Sequence, residues 1–387
     1  MIPYGHQSID ESDIKAVVDV LKTDWLSQGP KIGEFENDLA KYCGAKYAVI
    51  FSSGTAALHA AYFAAGLKAG DEFITTPMTF AATANAGLYL GAKPVFADIG
   101  VDNNLDPKKA IKKITSKTKL ISVVDFAGLP AKLDELKKIA REHNLVLIED
   151  GCHALGASYK GKKIGSVADM TAFSFHPVKS ITTGEGGAVL TDNKEYYERM
   201  KVFRHHGIVR DPLKFSFGEG SAPGGKKQSP GDWYHEMQEL GFNYRITDIQ
   251  AALGISQLKR LDKFIKARKK IAGIYNKALN KFSKNVLLPD DSKDTSSSWH
   301  IYVIKLKGKL ANKRLEIFTK LRKAGIGVQV HYIPVYFHPY YKSLGYKKGI
   351  CPNAELYYKT AISLPIYPDL SLNDQSFVIE SLSKLLS

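Results

Sequence analysis

No stretch of about 18 apolar residues occurs in the 387-residue chain, so the sequence offers no membrane-spanning helix. The opening MIPYGHQSID lacks both the basic region and the apolar core of a secretory signal, which leads to the expectation of a cytoplasmic protein with no membrane partner. Cysteine is scarce. Cys43, Cys152 and Cys351 are odd in number, far apart and in no CxxC pair, so they suit reduced thiols rather than a disulfide frame or a zinc site. The histidines show no HxH or HExxH spacing, and no metal is expected. In GEGSAPGG, Pro223 stands where GxGxxG needs its third glycine. Zinc-finger spacing and RRM-type aromatic motifs are also missing, so no nucleic-acid partner is expected despite a formal net charge of +15. Stretches such as DPKKAIKKITSKTK scatter that charge over helices with solvated basic faces, although an acidic small substrate would also be drawn to it.

What is present is an ordinary soluble composition, 44% hydrophobic and 24% charged, in a chain long enough for one large domain and a smaller one. Ser8 and Glu11 suggest a capping box, after which Ile14, Val17, Val18 and Leu21 recur at helical spacing and predict one buried face. Short apolar runs then alternate with helical stretches: KYAVIFSS, a helix over residues 55–66, EFITTP, a helix through FAATANAGLYLGA, and PVFADI. The alternation continues through KLISVVDF, the helix KLDELKKIAREHN, LVLIED, MTAFSF and GAVLTD. It predicts a mainly parallel sheet buried on both faces by helices. Residues 218–231, rich in Gly, Pro, Ser and Lys, read as an exposed loop. From Thr247 a long amphipathic pattern leads into a smaller α+β unit, with SWHIYVIKL and GVQVHYIPVY as strands and KRLEIFTKLRKAG as a helix. The expected division is residues 1–247 and 248–387.

In an open sheet of this class, ligands bind beyond the carboxyl ends of the strands. Several of these strands end in polar or small residues, among them Asp150 and Ser174. Lys179 follows in FSFHPVKSITTGEGG. A lysine is by default a surface charge, but this one comes after an apolar strand and before Gly184, Gly186 and Gly187, which permit close backbone approach. A buried lysine with a depressed pKa forms Schiff bases. Pyridoxal phosphate chemistry also needs an acid against the pyridine nitrogen, and Asp150, ending LVLIED, is the candidate. An aspartate there serves equally well as a turn cap. Gly54, Thr55 and Ala56 begin a helix whose free N–H groups favour a phosphate, or form nothing more than a helix start. Phe80 stacks on a flat ring or sits in the core. His176 is left without a role.

Together SSGTAAL, TTPMTFAATANA, IEDGCHALGA, SFHPVKSITTGEGGAVLTD, RHHGI, GFNYRITDIQAALG and VHYIP resemble the DegT/DnrJ/EryC1/StrS family of nucleotide-sugar aminotransferases, in order and over nearly the whole chain. The resemblance implies an α/β, aspartate aminotransferase-like (type I) fold for pyridoxal 5'-phosphate (PLP)-dependent transferases. It places the cofactor lysine at Lys179, the pyridinium partner at Asp150 and the neighbour of the phenolic oxygen at His153. By the same resemblance the stacking aromatic falls on Phe80, and the phosphate contacts on Thr55, Ala56 and Ser174. Asn243 would reach the phosphate of a neighbouring subunit, so a homodimer is implied.

The opening YGHQSIDESDI, with ISVVDFAG, CHALGASYKGKKIG and GVQVHYIPVY, is most similar to the members that aminate a UDP-linked 4-keto-6-deoxy-N-acetyl-L-hexosamine in pseudaminic acid biosynthesis. That likeness implies L-glutamate as amino donor and sugar-nucleotide contacts at Tyr4, at Asp24, Trp25, Leu26 and Ser27, and at Gln329, Val330, His331 and Tyr332. Alternatives are an aminotransferase for another UDP- or dTDP-4-keto sugar, a sugar dehydratase, whose relatives carry histidine in place of the lysine, and a non-catalytic PLP-binding regulator, which would need an added DNA-binding domain.

Overall fold

Seven strands form the central sheet: β1 (Tyr47–Phe51), β2 (Glu72–Thr75), β3 (Lys93–Phe96), β4 (Thr118–Val124), β5 (Val146–Asp150), β6 (Met170–Ser174) and β7 (Gly187–Thr191). This is a computed structural model, and it describes residues 1–215 and 231–387. Of the expected loop at 218–231, all but Gly231 lies outside the described residues. The strand order is β1-β7-β6-β5-β4-β2-β3. Strands β2 to β6 pair in parallel, while β7 runs antiparallel to both β6 and β1. The parallel pairs follow from the helices between them, since a parallel return needs a crossover. Val49, Ile50, Phe51, Leu120, Ile121, Leu147 and Ile148 are fully buried. Each stabilises the fold by about 1.5–3 kcal/mol through area removed from water.

On one face pack α2 (Pro30–Cys43), α5 (Leu133–Glu142) and α7 (Asp248–Leu258); on the other pack α3 (Gly54–Ala64), α4 (Ala82–Leu88) and α6 (Lys194–Arg204). Beyond α7, α8 (Leu261–Leu279) leads to a three-stranded antiparallel sheet of β8 (Val286–Leu287), β9 (Tyr302–Leu306) and β10 (Ala361–Leu364), covered by α9 (Leu372–Leu386). The two cores meet along α8: Leu261, Phe264 and Ile265 join the first, and Ile271, Tyr275 and Leu279 the second. Because Ala251, Ile255 and Leu258 of α7 also lie in the first core, we propose that the units divide within α8 rather than at residue 247.

Three local expectations are corrected. The first helix, α1 (Glu11–Leu21), is capped by Asp10, whose carboxylate accepts the N–H groups of Ser12 and Asp13, rather than by Ser8. Asp10 prevails because Arg260 pairs with both Asp10 and Asp13, whereas the Ser8 carbonyl accepts from Gln257. The apolar face of α1 is not buried: Ile14 and Leu21 are 49% and 54% exposed, while Asp13 and Val20 pack inward. GVQVHYIPVY forms no strand. Only Gln329 pairs, with Ser363, because His331 and Tyr332 face a cavity and Pro334 has no N–H to give a ladder.

Beneath the sheet's carboxyl edge, Asp125 and Glu149 are fully buried together. One oxygen of each has a donor, from the Ala131 N–H and the Thr171 hydroxyl. The remaining two, Asp125 Oδ2 and Glu149 Oε1, have no other donor among the described residues, and two carboxyls buried side by side favour one proton held between them. Burial, then the neighbouring charge, pushes Asp125 well above the ordinary carboxylate range. The folded state therefore binds a proton that the unfolded chain releases near pH 4, and stability falls as pH rises from there toward the folded pKa. Asp125→Asn donates to Glu149 without that proton. It is expected to exceed the parent in stability by roughly 1–3 kcal/mol at pH 9, with the advantage shrinking toward pH 5. Denaturant titrations at both pH values check this, and a pH-independent difference would remove the shared proton.

Candidate active site

The carboxyl ends of β4, β5 and β6, the start of α3 and the turn after β2 open into a cavity of about 420 Å³. Lys179 reaches it from the loop between β6 and β7. That loop is pinned at its neck, where the Phe175 N–H donates to the Gly186 carbonyl at 2.9 Å and the Thr183 N–H to the Phe175 carbonyl at 3.0 Å. Phe175 and Ile181 are its buried anchors. The Lys179 side chain makes no hydrogen bond or ion pair among the described residues. Burial lowers its pKa from the usual lysine value, against the opposing pull of Cys152 and Asp150.

Asp150 is 5% exposed. Its Oδ2 accepts the Thr83 hydroxyl at 2.6 Å and its Oδ1 accepts the Cys152 N–H at 3.2 Å. Thr83 is itself held: its hydroxyl lies 2.7 Å from that of Thr79, and its carbonyl accepts the buried Tyr62 hydroxyl at 2.9 Å. A carboxylate is thus fixed at a strand end with no cation bonded to it among the described residues.

The start of α3 lies beside this pair. Ser53 caps it, with its side chain accepting the Ala56 N–H at 3.1 Å and its carbonyl the Ala57 N–H at 3.0 Å. That leaves the Gly54 and Thr55 N–H groups without partners at the cavity wall, a positive helix end. Strand β7 can pass this close only because it begins with Gly187, where a Cβ would lie 2.5 Å from the Ser53 carbonyl oxygen.

Opposite stand His153, His300, His331 and Tyr332. The Tyr332 hydroxyl is 3.0 Å from His153 Nε2, and His331 Nδ1 is 2.8 Å from the Ser363 hydroxyl. Burial, then positive neighbours including Lys179, lowers His331 to about 4 and holds His153 and His300 well below the ordinary imidazole range. All three rings are neutral at pH 7. Phe80 lines the same cavity while 64% exposed, its ring centroid 6.4 Å from that of Tyr332. The arrangement offers one accessible amine, one fixed carboxylate, one anion-binding helix end and neutral aromatic walls.

Of the residues singled out in the sequence, Tyr4, Gly54, Thr55, Phe80, Asp150, His153, Ser174, Lys179, His331 and Tyr332 converge here. Ala56 does not line the cavity, and its N–H is spent on Ser53. Asp24, Trp25, Leu26 and Ser27 form an exposed segment outside it, and Gln329 and Val330 also lie outside. Asn243 is exposed on a loop bridged to His205. His176 is exposed at the cavity rim rather than packed beneath its turn. Sequence reading missed Thr79, Thr83, Cys152, Glu185 and His300. The i, i+4 spacing of Thr79 and Thr83 just after β2 was a usable signal; the histidine in SWHIYVIKL, assigned to a strand, was not.

Residues 7–383 match the DegT/DnrJ/EryC1/StrS aminotransferase family. The UDP-4-amino-4,6-dideoxy-N-acetyl-beta-L-altrosamine transaminase of Campylobacter jejuni (strain 81-176) is 43% identical, with 100% of this chain and 98% of that protein aligned. Among solved structures, Helicobacter pylori PseC, an aminotransferase of pseudaminic acid biosynthesis, superposes with a TM-score of 0.91 at 34% identity, covering 100% of this chain and 99% of the other. Spr1654 of Streptococcus pneumoniae in its PLP-form gives 0.89 at 30% identity, covering 100% and 98%.

Proposed function

This chain belongs to the DegT/DnrJ/EryC1/StrS aminotransferase family, and we propose that it moves an amino group from L-glutamate to C4 of UDP-2-acetamido-2,6-dideoxy-β-L-arabino-hex-4-ulose. The product is UDP-4-amino-4,6-dideoxy-N-acetyl-β-L-altrosamine, made on the way to pseudaminic acid. That it is a sugar aminotransferase using pyridoxal phosphate follows from its family and its structural relatives. The observation that carries the reading is the meeting of Lys179, Asp150 and the unpartnered N–H groups of Gly54 and Thr55 in one cavity. The choice of sugar rests on similarity to the Campylobacter and Helicobacter transaminases.

The cavity fits the cofactor by its donor set. Lys179 supplies an amine with no competing partner, Asp150 an acceptor for a protonated ring nitrogen, and Gly54, Thr55 and Ser174 donors for a phosphate. When bound, pyridoxal phosphate supplies a carbonyl that condenses with amines and a ring that withdraws electrons as a C–H bond breaks. Everything else belongs to the chain. Lys179 would hold the cofactor, and its Nζ would accept and return a proton, for which its lowered pKa favours the neutral amine. Asp150, oriented by Thr83, keeps the ring nitrogen protonated. Phe80 would give a stacking face, and His153 would stand by the phenolic oxygen. Tyr4, His331 and Tyr332 meet the sugar, with Asp24, Trp25, Leu26, Ser27, Gln329 and Val330 toward the nucleotide.

We take the active form to be a homodimer in which Asn243 reaches the neighbour's phosphate. The exposed Ile14, Val18 and Leu21 of α1 are the apolar surface such a partner would cover. One experiment tests the substrate: the protein with pyridoxal phosphate, L-glutamate and a panel of UDP- and dTDP-4-keto sugars, its products identified by mass and NMR. Amination of the UDP-linked N-acetyl sugar is expected. Turnover confined to dTDP-hexoses, or none on any UDP-linked N-acetyl sugar, would remove this substrate and leave the family.

A further inference from the structure

We infer that His300 is a positioning residue for His153, and that Arg268 holds His300 in place; this rests on the reading above, in which His153 borders the cofactor. The segment carrying His300 bends sharply. Trp299 has φ +53°, in the left-handed region that a bulky residue enters only under constraint. The constraints are visible. Arg268, fully buried in α8 and without a carboxylate partner among the described residues, donates from one terminal nitrogen to the carbonyls of Trp299, His300 and Ile366 at 3.4, 3.1 and 2.9 Å. The Ser298 N–H donates to the Gly128 carbonyl at 3.0 Å, and the Ser298 hydroxyl donates to the His153 carbonyl at 2.5 Å. Gly128, at φ +92°, is required there, because a Cβ would lie 2.1 Å from that hydroxyl oxygen.

The consequence falls on His153. Its main chain is held by Ser298, and its ring lies against that of His300, with centroids 4.4 Å apart and planes tilted by 37°. Tyr332 stacks at 6.0 Å and Phe126 closes an edge at 6.4 Å. Both imidazoles are 5% exposed, and both line the cavity. Each has a buried Nδ1 without a hydrogen-bond partner, so ring packing, rather than hydrogen bonding at Nδ1, sets the orientation of His153. A ring packed this way keeps one orientation toward the cavity, with Nε2 at the Tyr332 hydroxyl, which is what a group beside a reacting ring must do.

The test compares His300→Ala, His300→Phe and Arg268→Lys with the parent in three readouts. These are the imidazole nitrogen signals of His153 in cofactor-free protein across pH, the pH midpoint of the bound cofactor's visible band, and kcat against KM. In His300→Ala, water replaces the ring. The His153 titration is expected to move up toward the ordinary imidazole range, and the band midpoint to shift by roughly 0.5–1 pH unit. A fall in kcat of about 10- to 100-fold is expected, with the sugar-nucleotide KM changed no more than about twofold. His300→Phe keeps the packing and is expected to restore most of each readout. Arg268→Lys is expected to act in the same direction, with no further loss when combined with His300→Ala. Parent-like His153 signals and band midpoint in His300→Ala, or a Phe variant as impaired as the Ala variant, would overturn the inference. If His300→Ala does not fold, His300→Gln against His300→Phe decides the same point: the Gln variant shifts the His153 signals and the Phe variant does not. Should the parent show no visible band with pyridoxal phosphate, the functional reading fails, while the cofactor-free signals still judge His300.

Discussion

Lys179→Ala is expected to lose amino transfer by on the order of 10⁴-fold or more, because the variant lacks both the covalent anchor and the group that carries the proton. The fold should survive: the side chain makes no hydrogen bond or ion pair among the described residues, and its loop is pinned by backbone bonds at Phe175, Thr183 and Gly186. The same geometry makes a chemical prediction. Among the lysines of the described residues, Lys179 is the one whose pKa burial lowers within reach of a helix end suited to phosphate. Borohydride treatment of the protein with pyridoxal phosphate should therefore label the peptide containing Lys179 in preference to surface lysines. Peptide mass spectrometry reads this directly. Labelling of a different lysine, or turnover by Lys179→Ala within about 100-fold of the parent, would sink the assignment.

Asp150→Asn should cost about 10³-fold in kcat, and it separates charge from shape. Asparagine's one oxygen keeps the acceptor for the Thr83 hydroxyl and gives up only the longer bond from the Cys152 N–H, so the local shape remains, but it cannot hold a proton on a ring nitrogen. Thr83→Val tests orientation alone. It leaves the carboxylate charged but removes its 2.6 Å hydrogen bond, and a bond to a charged group is worth about 1.5–3 kcal/mol, so a loss of roughly 10- to 100-fold is expected. The double variant should be no worse than Asp150→Asn by more than a few-fold, since the hydroxyl acts through the carboxylate. Full additivity in steady-state kinetics would mean that Thr83 has an independent task. A kcat for Asp150→Asn within tenfold of the parent would take the ring-nitrogen role away from Asp150.

The frame was legible wherever one chain segment decides its own environment. In YAVIF, and in the VLI that opens VLIED, consecutive residues on both faces of the strand are apolar, the pattern of a sheet covered on both sides. That Lys179 and Asp150 would meet at one cavity was legible because both follow strand ends, where sheets of this class place their ligands. What could not be read depends on a second segment. The apolar side of α1 was taken for its buried face, yet Asp13 turns inward because Arg260, some 247 residues away, meets it there. Thr83 and Asp150 are 67 positions apart, and the paired acids Asp125 and Glu149 come together only once β4 and β5 align. His300 looked like one more strand residue, because nothing local announces that Arg268 will bend its backbone. Capping at Asp10 rather than Ser8 has the same origin: two adjacent candidates were chosen between by a distant guanidinium.

The strand order has a consequence for how the protein is made. Strand β1 has one neighbour in the sheet, β7, and Tyr47 waits for Thr191. At about 5–20 residues per second of translation, the intervening stretch of roughly 140 residues takes on the order of 7–30 s to emerge from the ribosome. Throughout that time YAVIF is an apolar strand with an open edge, the kind of segment that seeks pairing with other chains. The start of α3, which follows β1 directly, cannot be set against Gly187 until the same moment. Chaperone occupancy of nascent chains halted before Gly187 should therefore exceed that of chains halted after Thr191.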